Sequence, residues 1–401
     1  MSNVAVTGWK KEMKRIVTYL KREMVLCAAA FLALLSMFLV KPDRGYVDYL
    51  DARVLALLFC LMTVMEGLKK TGLFEQMANR LLKKVKTFRQ LMIVLVGLCF
   101  FSSMWITNDV ALLTFVPFTI LVLRMAQMER RMIAVITMET IAANLGSMAT
   151  PVGNPQNLYL YSVSAMSLGE FIKVMGPLSV LSLFLILMGC LLQKNQELQI
   201  TVVPQGKKEP KIEENLLLCA LFVVSLLAIL RILSWQMLLG ITILACLLLY
   251  ATGKEEFLPG KVDYGLLFTF VAFFIFIGNM GRIGWVKELL EKALGGNELL
   301  LGFAGSQVIS NVPAAILLSG FTKNYAALLQ GVNIGGLGTL IASLASLISY
   351  KFYAEESEKN KNVGTKGKYF WYFTGWNLVF AAVLLAAAVI GPSIIFSSTV
   401  L

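Results

Sequence analysis

A carboxylate stands in the middle of some thirty apolar or small residues: the stretch "FFSSMWITNDVALLTFVPF" contains Thr107, Asn108 and Asp109, and Asp109 is the only charge between Arg89 and Arg124. An ionised carboxylate in such surroundings costs about 2.5–3.5 kcal/mol even on the gentler scales of membrane insertion. It either binds a cation or proton, or it merely caps a helix as Asx residues do. A second stretch, "GSQVISNVPAAILL", supplies Ser306, Gln307, Ser310 and Asn311 without an acid, and Pro313 sits where the first turn of a returning helix tolerates it. Two further stretches are dense in glycine and proline: "AANLGSMATPVGNPQNLYL" holds Gly146, Pro151, Gly153 and Pro155, and "GVNIGGLGTLIASLAS" holds Gly331, Gly335, Gly336 and Gly338. Around them lie Asn144, Thr150, Asn154, Asn157, Asn333 and Thr339. Small residues serve close helix packing in membranes. At this density they also break a helix in mid-span, leaving carbonyls that suit Na+ and half-helix N-termini that suit anionic groups. Glu139, one turn before the first break, is either a second titrating group or a residue nearer the cytoplasmic end, in water; the second reading is preferred.

The elements that must position these groups follow from composition. The chain has 401 residues, 58% of them hydrophobic and only 15% charged, with a mean hydropathy of +0.74. That is too apolar for a soluble domain and points to an all-α polytopic membrane protein. The formal net charge of +12 comes from Lys and Arg clustered between apolar runs, where a topogenic role is simpler than nucleic-acid binding. The six cysteines lie singly in apolar runs and read as small core residues. The first apolar run, 24–40, is followed by charge rather than a small-residue cleavage site and reads as a retained span.

A helix needs roughly 20 residues to cross the hydrocarbon. On that measure nine full spans are expected near 24–41, 52–67, 133–163, 170–193, 215–233, 235–252, 263–281, 324–350 and 369–396. Segments 88–128 and 297–322 carry polar breaks at their centres and read as two re-entrant helical hairpins. With both hairpins returning to the side they came from, 27 of the 36 Lys and Arg fall on one side. This places the N-terminus in the cytoplasm and the C-terminus outside. The halves echo each other: "TGLFEQMANRLLKK" and "IGWVKELLEKALGG" precede the hairpins as amphipathic helices suited to the interface, and "NLGSMAT" and "NIGGLGT" follow them. The reading is two inverted-topology repeats, 1–193 and 215–401, joined by a cytoplasmic linker at 194–214. Inverted repeats with interrupted helices are the construction of secondary transporters.

The constellation resembles the ion transporter superfamily, which holds divalent anion/sodium symporters, citrate-transporter-like proteins, arsenite-efflux permeases and one class of sodium/proton antiporters. "TNDVALL" is similar to the Asn-Asp hairpin of the arsenite permeases, and "SNVPA" to the Ser-Asn-Thr hairpin tips of the dicarboxylate symporters. "NLGSMATPVGNPQN" resembles the Asn-x-Gly…Thr…Gly-x-Pro-x-Asn loop of several branches. The resemblance implies a homodimer in which scaffold spans form the interface and the hairpins and broken helices move as an elevator. It also implies one cation and substrate locus at Asn108, Asp109, Asn144, Gly146, Thr150 and Gly153, beside which Thr107 and Asn154 are further candidate binding residues. The inverted counterpart would be Ser310, Asn311, Asn333, Gly335 and Thr339. The chain departs from the dicarboxylate symporters at Asp109 and Val312, where threonines are expected.

The expected function is therefore secondary active transport of a small inorganic or organic anion across a bacterial inner membrane, coupled to Na+ or H+ through Asp109 or Glu139. The alternatives are metalloid (arsenite-type) efflux, Na+/H+ antiport, and a gated channel. No bound cofactor is expected beyond Na+ as coupling ion. The absence of histidine removes most nucleophile–base pairs and imidazole relays, which counts against an intramembrane enzyme.

Overall fold

The computed structural model describes residues 24–72, 80, 85–198, 212–254, 262–360 and 362–397. These residues are almost wholly helical, and the β contact among them is an isolated bridge between Thr87 and Glu197. Helix α1 (Met24–Leu39) leads through a 3-10 turn at Arg44–Tyr49, capped by the Asp43 side chain, to α2 (Ala52–Lys70). Helices α3 (Phe88–Ile106) and α4 (Asn108–Met125) are separated by the single residue Thr107. Helix α5 (Met132–Ser147) stops, and the chain resumes as α6 (Pro155–Val163), where Asn154 accepts the Asn157 N–H and Pro155 occupies the first turn. Helix α7 (Leu168–Leu191) opens on a capping box of Ser167 and Glu170. Then come α8 (Ile212–Ile229), α9 (Trp235–Ala251), α10 (Tyr264–Arg282) and α11 (Gly284–Leu294). Helices α12 (Glu298–Ile309) and α13 (Asn311–Ser319) turn on Ser310. Helix α14 (Tyr325–Ile334) breaks and resumes as α15 (Leu344–Lys359), and α16 (Lys366–Ser397) follows.

The helices fall within a few residues of the expected spans, except that α15 runs on to 359. Five helices, 88–106, 108–125, 168–191, 264–282 and 366–390, are long and apolar enough to cross a membrane, and shorter apolar helices cover 25–39, 216–229, 235–251 and 298–309. Both limbs of the first hairpin are thus long, 19 and 18 residues, whereas those of the second have 12 and 9.

Packing sorts the helices into two groups. Helix α1 lies on α10, and α2 lies on α8 and α9. The hairpin α3–α4 packs on α5, the hairpin α12–α13 packs on α14, and α15 crosses to α4 and α5. Every residue of α5 is buried. Outward faces carry large apolar side chains such as Phe38, Val180, Leu244 and Trp371, a pattern that suits hydrocarbon rather than water. Cys60, Cys99 and Cys190 are buried as expected, but Cys219 is exposed on α8, so not every cysteine is a core residue. Helix α11 exposes Trp285 and Leu289, as an interfacial helix does. Its counterpart at 73–84 lies, apart from Arg80, outside the described residues, as does 199–211 of the linker.

Two contacts fix the sense of the broken helices. Arg124, at the end of α4, makes a bidentate ion pair with Glu356, near the end of α15. The Tyr159 hydroxyl of α6 meets Ser319 Oγ at the end of α13 at 2.8 Å. Helix α15 therefore ends beside the foot of the first hairpin and α6 beside the foot of the second, so α5–α6 and α14–α15 run in opposite directions.

Candidate functional site

The two hairpin tips share an unusual backbone. Thr107 has φ 68° and ψ 150°, and Ser310 has φ 74° and ψ 157°. This region is essentially reserved for glycine and costs a side-chain-bearing residue about 1–3 kcal/mol, so the surroundings must enforce it. They do so in the same way twice. The Asn108 N–H donates to Gly153 O at 3.2 Å, and the Asn311 N–H to Ala342 O at 3.0 Å. In each tip the asparagine Oδ1 accepts the next backbone N–H at 3.0 Å, from Asp109 and from Val312. Each tip is thereby pinned to the loop that interrupts its neighbouring broken helix.

The limbs approach those helices closely. A Cβ on Gly146 would lie 2.1 Å from Phe100 O, and one on Gly335 would lie 2.5 Å from Ser306 Oγ. Thr150 donates its hydroxyl to Met104 O, and the Thr339 N–H donates to Gln307 Oε1 at 3.1 Å.

The two breaks are also joined to each other. Asn144 Oδ1 accepts from Ser343 Oγ at 3.0 Å, and its Nδ2 reaches Ser346 Oγ at 3.3 Å and Gly336 O at 3.4 Å. In the reverse sense, Asn333 Oδ1 accepts from Asn154 Nδ2 at 3.2 Å, and its Nδ2 donates to Asn157 Oδ1 at 2.6 Å. Asn108 Nδ2 adds a bond to Asn144 Oδ1 at 3.0 Å. All these asparagines are buried. Buried amides so fully paired hold a unique arrangement, because each lost partner would leave an unsatisfied group.

The candidate residues thus converge on one place. Asp109 lies in the first turn of α4, half-buried, and among the described residues its carboxylate receives no hydrogen bond and no ion pair. It caps nothing: the N-terminus of α4 has no side-chain cap, and the neighbouring Asn108 accepts the Asp109 N–H. Glu139 corrects the preferred expectation of a watery position. It is wholly buried in the middle of α5; Oε1 accepts from Thr119 Oγ1 on α4, and Oε2 has no partner among the described residues. The helical rotation turns Glu139 toward the first hairpin, which position along the chain did not reveal.

Ser343, Ser346 and Ala342 were not singled out from the sequence, although a signal exists. Laid residue on residue, Asn144–Asn157 and Asn333–Ser346 match without a gap and pair Asn154 with Ser343 and Asn157 with Ser346. A cavity of about 510 Å³ lies apart from the tips, lined by Asp48, Tyr49, Asp51, Tyr159, Phe274 and Ile277 among others, between the α1–α2 turn, α6 and α10.

The described residues, almost wholly helical, with apolar faces outward and polar tips buried against broken helices, have the build of a polytopic membrane protein. A family model described as citrate transporter matches residues 9–345. The chain is 34% identical over 334 residues to the transporter MJ0456 of Methanocaldococcus jannaschii, spanning 82% of this chain and 88% of that one. It is 31% identical over 327 residues to the inner membrane protein YbiR of Escherichia coli, spanning 79% and 84%. A shorter match, 30% over 183 residues, spans 44% of this chain and 37% of the silicon efflux transporter LSI3 of Oryza sativa. The chain belongs to the citrate transporter family.

Proposed function

We propose that the protein is a secondary active transporter that carries a small inorganic or organic anion, coupled to Na+ or H+, by an elevator-type movement. The observation that carries this reading is the convergence of helix ends. Helices α4, α6, α13 and α15 begin at the tips and breaks, and α3, α5, α12 and α14 end there. Helix N-termini carry about half a positive charge and C-termini about half a negative one, so a site that gathers both suits an anion together with a cation. Asp109 supplies a carboxyl group with no cation partner among the described residues, and it is the group to which we assign the coupling ion. Glu139 is the second candidate, enclosed so that a proton reaches it more readily than a hydrated ion.

The same order of hairpin and broken helix, run in opposite directions, supports two inverted-topology repeats, 1–193 and 215–401, with 194–214 between them. The cross-linked breaks and the Arg124–Glu356 pair tie both hairpins into one body, and α1, α2, α8, α9 and α10 are left to serve as scaffold. On this reading the two would slide at the cavity between the α1–α2 turn, α6 and α10. The functional unit on this reading is a homodimer in a bacterial inner membrane, its N-terminus in the cytoplasm and C-terminus outside. Native mass in detergent tests the dimer, and a strict monomer would count against the scaffold assignment.

A second reading, metalloid oxyacid efflux, is favoured by the match to a silicon efflux transporter and by the lack of Lys or Arg within the hairpins except at their ends. One experiment separates the readings: uptake and efflux of citrate, arsenite and silicic acid in proteoliposomes, with Na+ and pH gradients imposed separately, for the wild type and Asp109→Asn. The anion reading expects saturable citrate flux driven by one gradient and abolished by the substitution. Saturable silicic acid or arsenite flux with no citrate flux supports efflux of a metalloid. Flux that neither saturates nor answers a countergradient indicates a channel, and unchanged ion dependence in Asp109→Asn removes Asp109 from the mechanism.

A further inference from the structure

The two half-sites match position for position, and one departure between them has the chemistry of an ion. Pairing Thr107 with Ser310 aligns Met104 with Gln307, and pairing Asn144 with Asn333 aligns Gly146 with Gly335 and Met148 with Leu337. Gln307 Nε2 donates to Gly335 O at 2.9 Å and Leu337 O at 2.8 Å, with Phe303 O at 3.4 Å, while Oε1 accepts the Thr339 N–H at 3.1 Å. Carbonyl acceptors on one side and a backbone donor on the other fix which way the amide faces. The loop is moulded around it: Gly338 has φ 115°, and a Cβ there would lie 2.3 Å from Gln307 Oε1.

Carbonyls freed by a helix break are the groups that coordinate Na+ in such sites. Here a neutral side chain meets them with N–H donors instead. In the first half the matching side chain is Met104, a thioether with nothing to donate; Asn157 Nδ2 donates there to Ser147 O at 3.2 Å and Thr150 O at 3.1 Å, and Gly146 O accepts the Ala149 N–H, but among the described residues no side chain donates to Gly146 O or Met148 O. The first half also has Asp109 where the second has Val312. Both differences point the same way: the first half offers a carboxylate and keeps Gly146 O and Met148 O free of side-chain donors, while the second is neutral and has both matching carbonyls taken by Gln307.

We propose that the Gln307 amide occupies the cation position of the second half-site, so that the transporter couples to one cation, held at the Asp109 half. The stoichiometry rests on the cation-coupled reading above; the role of Gln307 stands on its own geometry.

Equilibrium binding of radioactive Na+ to the purified full-length protein, at constant ionic strength with choline chloride, tests both. The expected result is one Na+ per protomer in the wild type, none in Asp109→Asn, and two in Gln307→Ala, where the carbonyls are vacated. Two Na+ in the wild type, or one in a monodisperse Gln307→Ala, overturns the proposal and leaves cation coupling at Asp109 intact. None in the wild type with one in Gln307→Ala supports the role of Gln307 and removes Na+ from Asp109. None in either overturns both. Gln307→Glu gives a readout that does not depend on Gln307→Ala folding: a protonated acid can donate to these carbonyls as the amide does, whereas an ionised one needs a counter-ion, so its unfolding temperature should rise with Na+ and not with choline at alkaline pH, where the introduced acid ionises. A thermal profile of Gln307→Glu that is indifferent to Na+ at alkaline as well as neutral pH overturns the proposal.

Discussion

At the scale of single residues, the hairpin tips are where local preference and tertiary demand conflict. Thr107 and Ser310 hold a backbone that favours glycine, and the bonds from Asn108 to Gly153 and from Asn311 to Ala342 help to keep them there. Strain of this kind gathers at ligand clamps and switches. Thr107→Gly should therefore raise the unfolding temperature, by relief of about 1–3 kcal/mol offset in part by the freedom glycine gives the unfolded chain. It should also lower transport, because the pre-set tip is loosened. A variant that is stabilised and fully active would show that the tip conformation has no part in the cycle. Asp109 was legible in the sequence because a charge in an apolar run has few bland explanations, and the structure removes the capping explanation. Position along the chain suggests water for Glu139 because it fixes only the distance from the break; which flank of a fully buried helix it faces is settled by packing.

At the scale of elements, the hairpins and breaks were legible because they violate the apolar pattern around them, and violations stand out. The bonds that unite the breaks were less so. Ser343 and Ser346 in an apolar segment read as small packing residues, and only their partners, Asn144 across the molecule and the matching Asn154 and Asn157, give them a role. The reciprocal set makes a definite expectation. Asn144→Ala and Asn333→Ala should each destabilise the protein by a few kcal/mol through orphaned buried partners. The double variant should lose less than the sum, with a coupling of about 0.5–3 kcal/mol, since both sets hold one interface. Additive losses in chemical or thermal unfolding would mean that the breaks are fastened independently.

At the scale of the whole molecule, apolar run length foretold where the helices lie, but the proposed grouping into a hydrogen-bonded body and a surrounding scaffold rests on contacts hundreds of residues apart in sequence, such as Arg124 with Glu356. That grouping predicts which tethers stop transport. In a background without the six native cysteines, a cross-link between cysteines at Asp51 and Val163, across the cavity, should arrest flux. A cross-link replacing the Arg124–Glu356 pair should leave it running, and arrest by both would deny that the hairpins and broken helices move as one. The unequal halves of the broken helices carry a consequence of an electrical kind. Nine residues of α6 and ten of α14 lie on one side of the tips, and the sixteen of α5 on the other, where the second half of α15 is charged and runs past the apolar span. At 1.5 Å per residue the tips sit about 14 Å from one face and 24 Å from the other. An ion entering from the nearer face would then cross roughly a third of the transmembrane field, or about 0.8 kcal/mol per 100 mV of the full 2.3. On the proposed reading, membrane voltage would bear weakly on loading from that face and strongly on the carriage that follows.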